Sequence, residues 1–128
     1  MWRSGVLIGA IVGMTGLAGA RSQGPQLNTV MREKLVHSQK LLEGVVTSDW
    51  LSLETHSRAL EQLTNDPRWM VLKYPEYATH SAAFVRAVRD FHKAALRRDS
   101  DEVTQAYVNL TLQCVGCHRY LARARIAE

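Results

Sequence analysis

The stretch DEVTQAYVNLTLQCVGCHRYL, residues 101–121, carries a long apolar face that ends in two cysteines and a histidine. Its apolar and sulfur-bearing residues recur at steps of three and four, the spacing of one face of an α-helix. They are Val103, Ala106, Tyr107, Leu110, Cys114, Cys117 and Leu121. Ser100 or Asp101 is predicted to cap this helix, with Glu102 favourably placed at its positive end. The pattern predicts a C-terminal helix whose cysteines face the protein interior.

Within this helix, the run Cys114-Val115-Gly116-Cys117-His118 has the C-x-x-C-H spacing of a covalent haem c attachment site. Each thiol can add to one haem vinyl group, and the imidazole that follows can bind the iron as proximal ligand. Cys114, Cys117 and His118 share one helical face at this spacing. A zinc half-site and a thioredoxin-like redox pair are the alternatives, but zinc would need further ligands and the redox pair a βαβ setting.

Three helical patterns precede this segment. The first helix is predicted to begin at Asn28, a good N-cap, or slightly earlier. Ser48 or Asp49 is predicted to cap the second helix, and Pro75 suits the first turn of the third. Lys34 is predicted to lie outside the apolar stripe of the first helix. The stripes are Leu27, Val30, Met31, Leu35, Leu41, Leu42, Val45 and Val46; then Trp50, Leu53, Ser57, Leu60 and Leu63; then Tyr77, Ser81, Phe84, Val88, Phe91 and Ala95. Short connections between such helices predict an all-α, antiparallel four-helix bundle with haem bound near the C-terminal helix.

Residues 1–20 are predicted to be a cleaved signal peptide, which leaves residues 21–128 as the haem-binding domain. Arg3 supplies the basic start, an apolar run follows, and Ala18-Gly19-Ala20 has the A-x-A form of a cleavage site. The apolar run is shorter than the ~20 residues of a membrane span, so no stable membrane insertion is expected after cleavage. A periplasmic or otherwise exported location agrees with haem c attachment, which takes place outside the cytoplasmic membrane.

The charge balance gives no support to nucleic-acid binding. The chain carries a formal charge of +4, which falls to +3 without Arg3, and two haem propionates would bring it to about +1. No carboxylate pair recurs at a spacing suited to acid–base work, and Arg32 and His37 do not form a peroxidase-type pair. The expected partners are redox proteins, and no enzymatic activity is predicted.

The second axial position of the iron decides between two functions. Met31 lies on the apolar stripe of the first helix, whereas Met70 lies in the irregular stretch 65–75. A methionine ligand gives six-coordinate iron that exchanges electrons with little rearrangement, and an open position admits small gases. Met31 is the candidate distal ligand of a one-electron carrier; the alternative is a five-coordinate protein that binds NO or CO. Four histidines at the edges of their stripes are predicted to be exposed rather than iron-bound: His37, His56, His80 and His92.

Apolar residues from several helices are predicted to border the haem crevice and exclude water from it. They are Leu27, Leu35, Phe84, Phe91, Tyr107 and Leu110. Trp69 is predicted both to close one end of the core and to wall the crevice, because a loop rarely exposes so large an aromatic residue without a use for it.

The order of these features resembles the cytochrome c prime superfamily, including its low-spin relatives. The resemblance covers roughly residues 26–125 and rests on the motif near the chain end, a methionine early in the first helix, and Gly44. Members place the residue over the distal haem face about thirteen positions before the first helix corner, which implies Met31. The stretches 31–35, 38–44 and 75–77 are also similar to exported bundle cytochromes. The resemblance implies a monohaem protein, and it leaves open a homodimer through the first two helices.

Overall fold

Four α-helices make up most of the structure, a computed structural model that describes residues 24–70 and 72–124. They are α1 (Gly24–Thr47), α2 (Trp50–Leu63), α3 (Pro75–Arg97) and α4 (Ser100–Arg123). Each helix packs against the next one in the chain, and α4 returns beside α1. The predicted all-α, antiparallel four-helix bundle is confirmed. The predicted signal segment, residues 1–20, lies outside the described residues.

No helix in the described part of the chain combines the length and the apolar character that a membrane crossing requires. The most apolar faces of these helices are narrow stripes that alternate with charged positions. Such stripes suit packing against a neighbouring helix.

Two-residue corners join α1 to α2 and α3 to α4, and both corners have the same local structure. Ser48 and Arg98 adopt left-handed backbone conformations, with φ of 56° and 55°. The aspartate that follows each then caps the next helix: Asp49 accepts from the Ser52 N–H, and Asp99 accepts from the first amides of α4. The prediction of Asp49 is confirmed. Ser100 or Asp101 as the α4 cap is wrong, because Asp99 already satisfies the free amides there.

The first helix begins before Asn28, as the second of the two predicted starts allowed. α1 starts at Gly24, and Pro25 is its second residue. Proline has no N–H to leave unsatisfied and its φ suits a helix, so it favours the first turn. The helix therefore extends through Asn28. At the start of α3, Pro75 occupies the first turn as predicted.

The core lies between α2, α3 and the inner face of α4, and Val30 and Leu41 of α1 close it on the fourth side. Every residue of the predicted α3 stripe is buried, and so are Leu53, Ser57 and Leu60 of α2. From α4, Val103 and Leu110 complete this core, while Ala106, Tyr107 and Cys114 pack partly buried against it. The stripes of the last three helices are therefore confirmed.

The predicted face of α1 is partly wrong. Leu35, Leu42 and Val46 are exposed, and Leu35 retains 57% of its accessible surface. Lys34, expected outside the stripe, is instead only 7% exposed. The reason is that α1 packs closely on α2 but less closely on α4, so its buried face is turned towards α2. The sequence spacing is compatible with a buried Lys34, because Lys34 follows the buried Val30 by one helical turn.

Gly44 lies where α1 and α2 come closest to each other. A Cβ built there would stand 2.7 Å from Leu53 Cδ2, and Leu53 is fully buried. By contrast, a Cβ on Gly116 would meet only His80 Cε1 at 3.9 Å, an ordinary contact. Position 44 therefore has no room for a larger side chain, whereas position 116 does.

Substitution of Gly44 by alanine is expected to destabilise the fold. Overpacking against Leu53 costs about 1–3 kcal/mol, and the gain in helix propensity returns about 1 kcal/mol, so a net loss of about 1 kcal/mol is expected in a denaturant titration. Gly116→Ala is the matched control and should be neutral or stabilising. Equal effects of the two substitutions would show that the close contact at Gly44 carries no cost.

Candidate functional site

A cleft separates α1 from α4 at the end of the bundle where α4 finishes. It consists of two adjoining cavities of about 530 Å³ and 250 Å³, here called the larger and the smaller cavity. Both are lined by Asn28, Met31 and Lys34 of α1 and by His118 of α4. The larger cavity continues along the two helices, whereas the smaller one extends towards α3 and the connection before it. The cleft is therefore bounded by all parts of the bundle except α2.

The C-x-x-C-H motif forms the α4 wall of this cleft. Cys114 lines the larger cavity and Cys117 the smaller one, and both are half-buried free thiols. His118 is exposed to solvent on one side, yet it lines both cavities. A continuous helix through residues 100–123 sets this arrangement, because positions three and four apart share a face. The three motif side chains predicted to act together do meet at one cleft.

Met31 lies on the opposite wall. Its side chain lines both cavities and packs partly buried against the core. Met70, the other methionine in the described residues, is exposed in the connection between α2 and α3. Of the two methionines weighed in the sequence, only Met31 therefore faces the motif across the cleft.

Lys34 is a residue of this site that sequence reasoning missed. Its ammonium lies 3.6 Å from the centre of the Phe84 ring and 4.7 Å from that of Trp69. Burial lowers the pKa of Lys34, while the thiols of Cys114 and Cys117 act in the opposite direction. The spacing Val30, Lys34, Leu41 was the available signal, since all three fall on one buried helical face.

Burial and the nearby cation also act on the motif. Burial lowers the pKa of His118, and the charge of Lys34 lowers it further. Both effects favour a neutral imidazole, the form that binds metal ions. Burial raises the pKa of the Cys117 thiol, and Lys34 offsets only part of that effect. Catalytic and redox cysteines instead have lowered pKa values, so the Cys117 environment is not that of a reactive thiolate.

The apolar lining of the cleft largely follows the prediction. Leu35, Tyr107 and Leu110 line the larger cavity, and Leu27 and Phe84 line the smaller one. Phe91 is the exception: it is fully buried in the core and packs edge-on against Tyr107, 6.4 Å away. It lies two turns beyond Phe84, the last α3 residue that lines the smaller cavity, and instead packs behind Tyr107.

Trp69 closes the smaller cavity and belongs to the core at the same time, as predicted. It is 3% exposed and stacks on Phe84 with ring centroids 5.3 Å apart. Its backbone carbonyl accepts a hydrogen bond from the buried Tyr77 hydroxyl, and burial raises the pKa of Tyr77 to about 12. The indole Nε1–H has no hydrogen-bond partner among the described residues. The residue is thus fixed in place while its one polar group is left unsatisfied.

The four histidines predicted to be exposed are instead half-buried and in contact with neighbours. The Nδ1 atoms of His37 and His56 are 2.9 Å apart across the α1–α2 interface. His92 Nδ1 lies 2.8 Å from the Ser57 hydroxyl, and His80 stacks on Tyr120 at 5.3 Å. Their polar partners lie on neighbouring helices, which a single-helix pattern does not show.

Comparison with protein-family models, with curated proteins and with solved structures gave no match. Within residues 24–70 and 72–124, no group of three or more His, Cys, Asp or Glu side chains is arranged to hold a metal ion. A structural zinc site uses four such ligands. The functional assignment therefore depends on the cleft, its motif and the side chains that face it.

Acidification is expected to weaken the α1–α2 interface through His37. Burial and the neighbouring His56 lower the pKa of His37 in the folded state, although Glu33 acts in the opposite direction. The unfolded chain therefore takes up this proton first, at about pH 6.5, and stability falls from that pH downwards to the folded pKa. His37→Gln removes the titration, so its unfolding midpoint should fall less between pH 7.5 and pH 5 than that of the wild type. An equal decrease of the unfolding midpoint in the wild type and in His37→Gln would contradict this role for His37.

Proposed function

We propose that this chain is a monohaem c-type cytochrome that carries single electrons. Cys114 and Cys117 form the two thioether bonds, His118 is the proximal ligand, and Met31 is the distal ligand. The observation that carries the proposal is the position of Met31, which faces the C-x-x-C-H motif across one cleft. A motif and a methionine 83 or more positions apart in the sequence meet only because α1 and α4 are neighbours in the bundle.

The residues around the cleft fit a haem group in three respects. The two thiols and the imidazole lie on one face of one helix. The remaining walls are mainly apolar and aromatic, as a porphyrin face requires. The smaller cavity also holds a buried ammonium and an unsatisfied indole N–H, groups that complement the carboxylates of haem.

Each side chain has a defined role in this proposal. When bound, haem supplies an iron that changes oxidation state by one electron. Cys114 and Cys117 hold the group covalently, and the low pKa of His118 keeps its imidazole neutral for coordination. Met31 supplies a thioether, a soft ligand that favours the reduced state. Leu110, Leu27 and the aromatic walls exclude water, which disfavours the added charge of the oxidised state.

The wider setting of the protein follows from the same proposal. Residues 1–20 direct export, and haem is attached outside the cytoplasmic membrane. The partners are redox proteins that approach the exposed side of His118, and the protein itself turns over no substrate. The chain belongs, in this proposal, with the low-spin relatives of the cytochrome c prime superfamily that it resembles.

The absorbance spectrum of the reduced protein tests the assignment. Co-expression with a haem c maturation system should give a red protein whose pigment stays with the protein in acid-acetone. Its reduced spectrum should show sharp low-spin bands that carbon monoxide does not change, because Met31 occupies the sixth position. Met31→Ala should convert it to a high-spin form that binds carbon monoxide. Met70→Ala is the matched control and should leave the spectrum unchanged.

Two outcomes would contradict parts of this proposal. A colourless product from a competent maturation system would remove haem from the protein altogether. A wild-type protein that is high-spin and binds carbon monoxide would favour the five-coordinate gas-binding alternative and would restrict Met31 to blocking access.

A further inference from the structure

The smaller cavity contains a buried hydrogen-bond donor without an acceptor. Trp69 is 3% exposed, and its Nε1–H has no hydrogen-bond partner within the described residues. A buried polar group without a partner costs about 1–3 kcal/mol, and more than nine in ten buried polar groups are satisfied in native proteins. The cavity is therefore built for a group that accepts hydrogen bonds.

Lys34 adds a buried positive charge to the same cavity. It is 7% exposed, and no acidic side chain in the described part of the chain forms an ion pair with it. Its ammonium rests over the rings of Phe84 and Trp69. Cation–π contacts are worth about 2 kcal/mol when desolvated, less than the several kcal/mol that burial of an unpaired ion costs. The aromatic contacts hold the cation in place without neutralising it.

A carboxylate satisfies all of these groups at once. It supplies the negative charge that a buried ammonium needs, and its second oxygen can accept from an indole N–H. A neutral acceptor would leave the ammonium uncompensated. The side chains that could compete for Lys34 are elsewhere: Glu33 is drawn towards Arg68, 4.0 Å away on the outside of α1.

We infer that Lys34 and Trp69 form a carboxylate-binding subsite at the smaller cavity, and that its ligand is one propionate of the haem. This inference rests on the proposed function, because the cleft that holds the motif is continuous with this cavity. The subsite holds that propionate ionised away from bulk water and fixes the orientation of the group in the cleft. Lys34 and Trp69 are thus positioning residues and take no part in ligation of the iron.

Resonance Raman spectroscopy of the purified holoprotein tests the subsite, because the propionate bending band reports hydrogen bonds to that carboxylate. Lys34→Gln and Trp69→Phe should each shift the band, and Lys34→Arg should restore it. Lys93→Gln is the matched control: Lys93 is exposed and lies 3.8 Å from Asp90 on α3, so the band should not move. Trp69→Phe keeps the stacking on Phe84, so it serves as the test if Lys34→Gln fails to fold.

The reduction potential supplies a second readout. Loss of the Lys34 charge should lower the potential, since a nearby cation disfavours the oxidised iron, and Lys34→Arg should keep the wild-type value. A changed potential with an unmoved propionate band would overturn the subsite, because Lys34 would then act only through its field. That result leaves the cytochrome assignment intact. A colourless wild-type protein would instead overturn the proposed function, and the propionate with it.

The same samples distinguish a haem propionate in the subsite from a free carboxylate. Acetate added to the holoprotein should leave the band and the potential unchanged if the propionate already fills the subsite. An acetate-dependent shift that Lys34→Gln abolishes would show an external anion there and would overturn the assignment to haem.

Discussion

The separation of α1 and α4 around Lys34 is the constraint on which the rest of this structure depends. In a bundle of this size, all four neighbouring helix pairs would be expected to interlock, because a small domain has little apolar surface to spare. Here three pairs pack closely and the fourth leaves a cleft. Leucines and aromatic rings face that cleft instead of other side chains, so part of the apolar surface that should stabilise the fold is left unburied. A flat apolar ligand would restore that missing contact.

Electrostatics in the cleft favour the same ligand. The buried ammonium of Lys34 raises the cost of the empty fold, and burial together with this charge lowers the pKa of the neighbouring His118. A group that is flat, apolar at its centre and anionic at its edge would both fill the apolar cleft and pair with the Lys34 ammonium. The shape of the cleft and its charge are thus complementary to the same kind of molecule, although different side chains contribute to each.

Sequence periodicity was sufficient for the helices and for the wall that carries the motif. Every residue of the predicted α3 stripe is buried, because that helix is covered by neighbours on both sides and burial follows its own 3.6-residue period; coverage on both sides also buries Ala87 and Ala94, which the stripe did not include. For α1, the 3.6-residue period does not show which part of the broad apolar stripe packs against a neighbouring helix. Leu35 therefore lies exposed at the larger cavity, whereas Lys34, predicted outside the stripe, is buried between the two cavities.

Pairing across helices was the other feature that a single sequence could not give. Nothing within α1 or α2 alone indicates that His37 and His56 meet. The same limit applies to Trp69, whose burial was expected from its size but whose unsatisfied indole N–H depends on what α3 and α1 place around it. Local patterns identify which side of a helix is apolar, whereas the register between helices is a property of the packed chain.

The two tight corners, with their left-handed Ser48 and Arg98, have a consequence for how this protein comes together. They make α1–α2 and α3–α4 two helical hairpins whose contacts are local in sequence, and such contacts form fastest during folding. Both corners lie at one end of the bundle, while the ligand cleft and the long connection before Pro75 lie at the other. The hairpins can therefore dock at their cornered end first and leave the opposite end of the bundle accessible, so that in the proposed cytochrome the insertion of haem would be the last step of assembly.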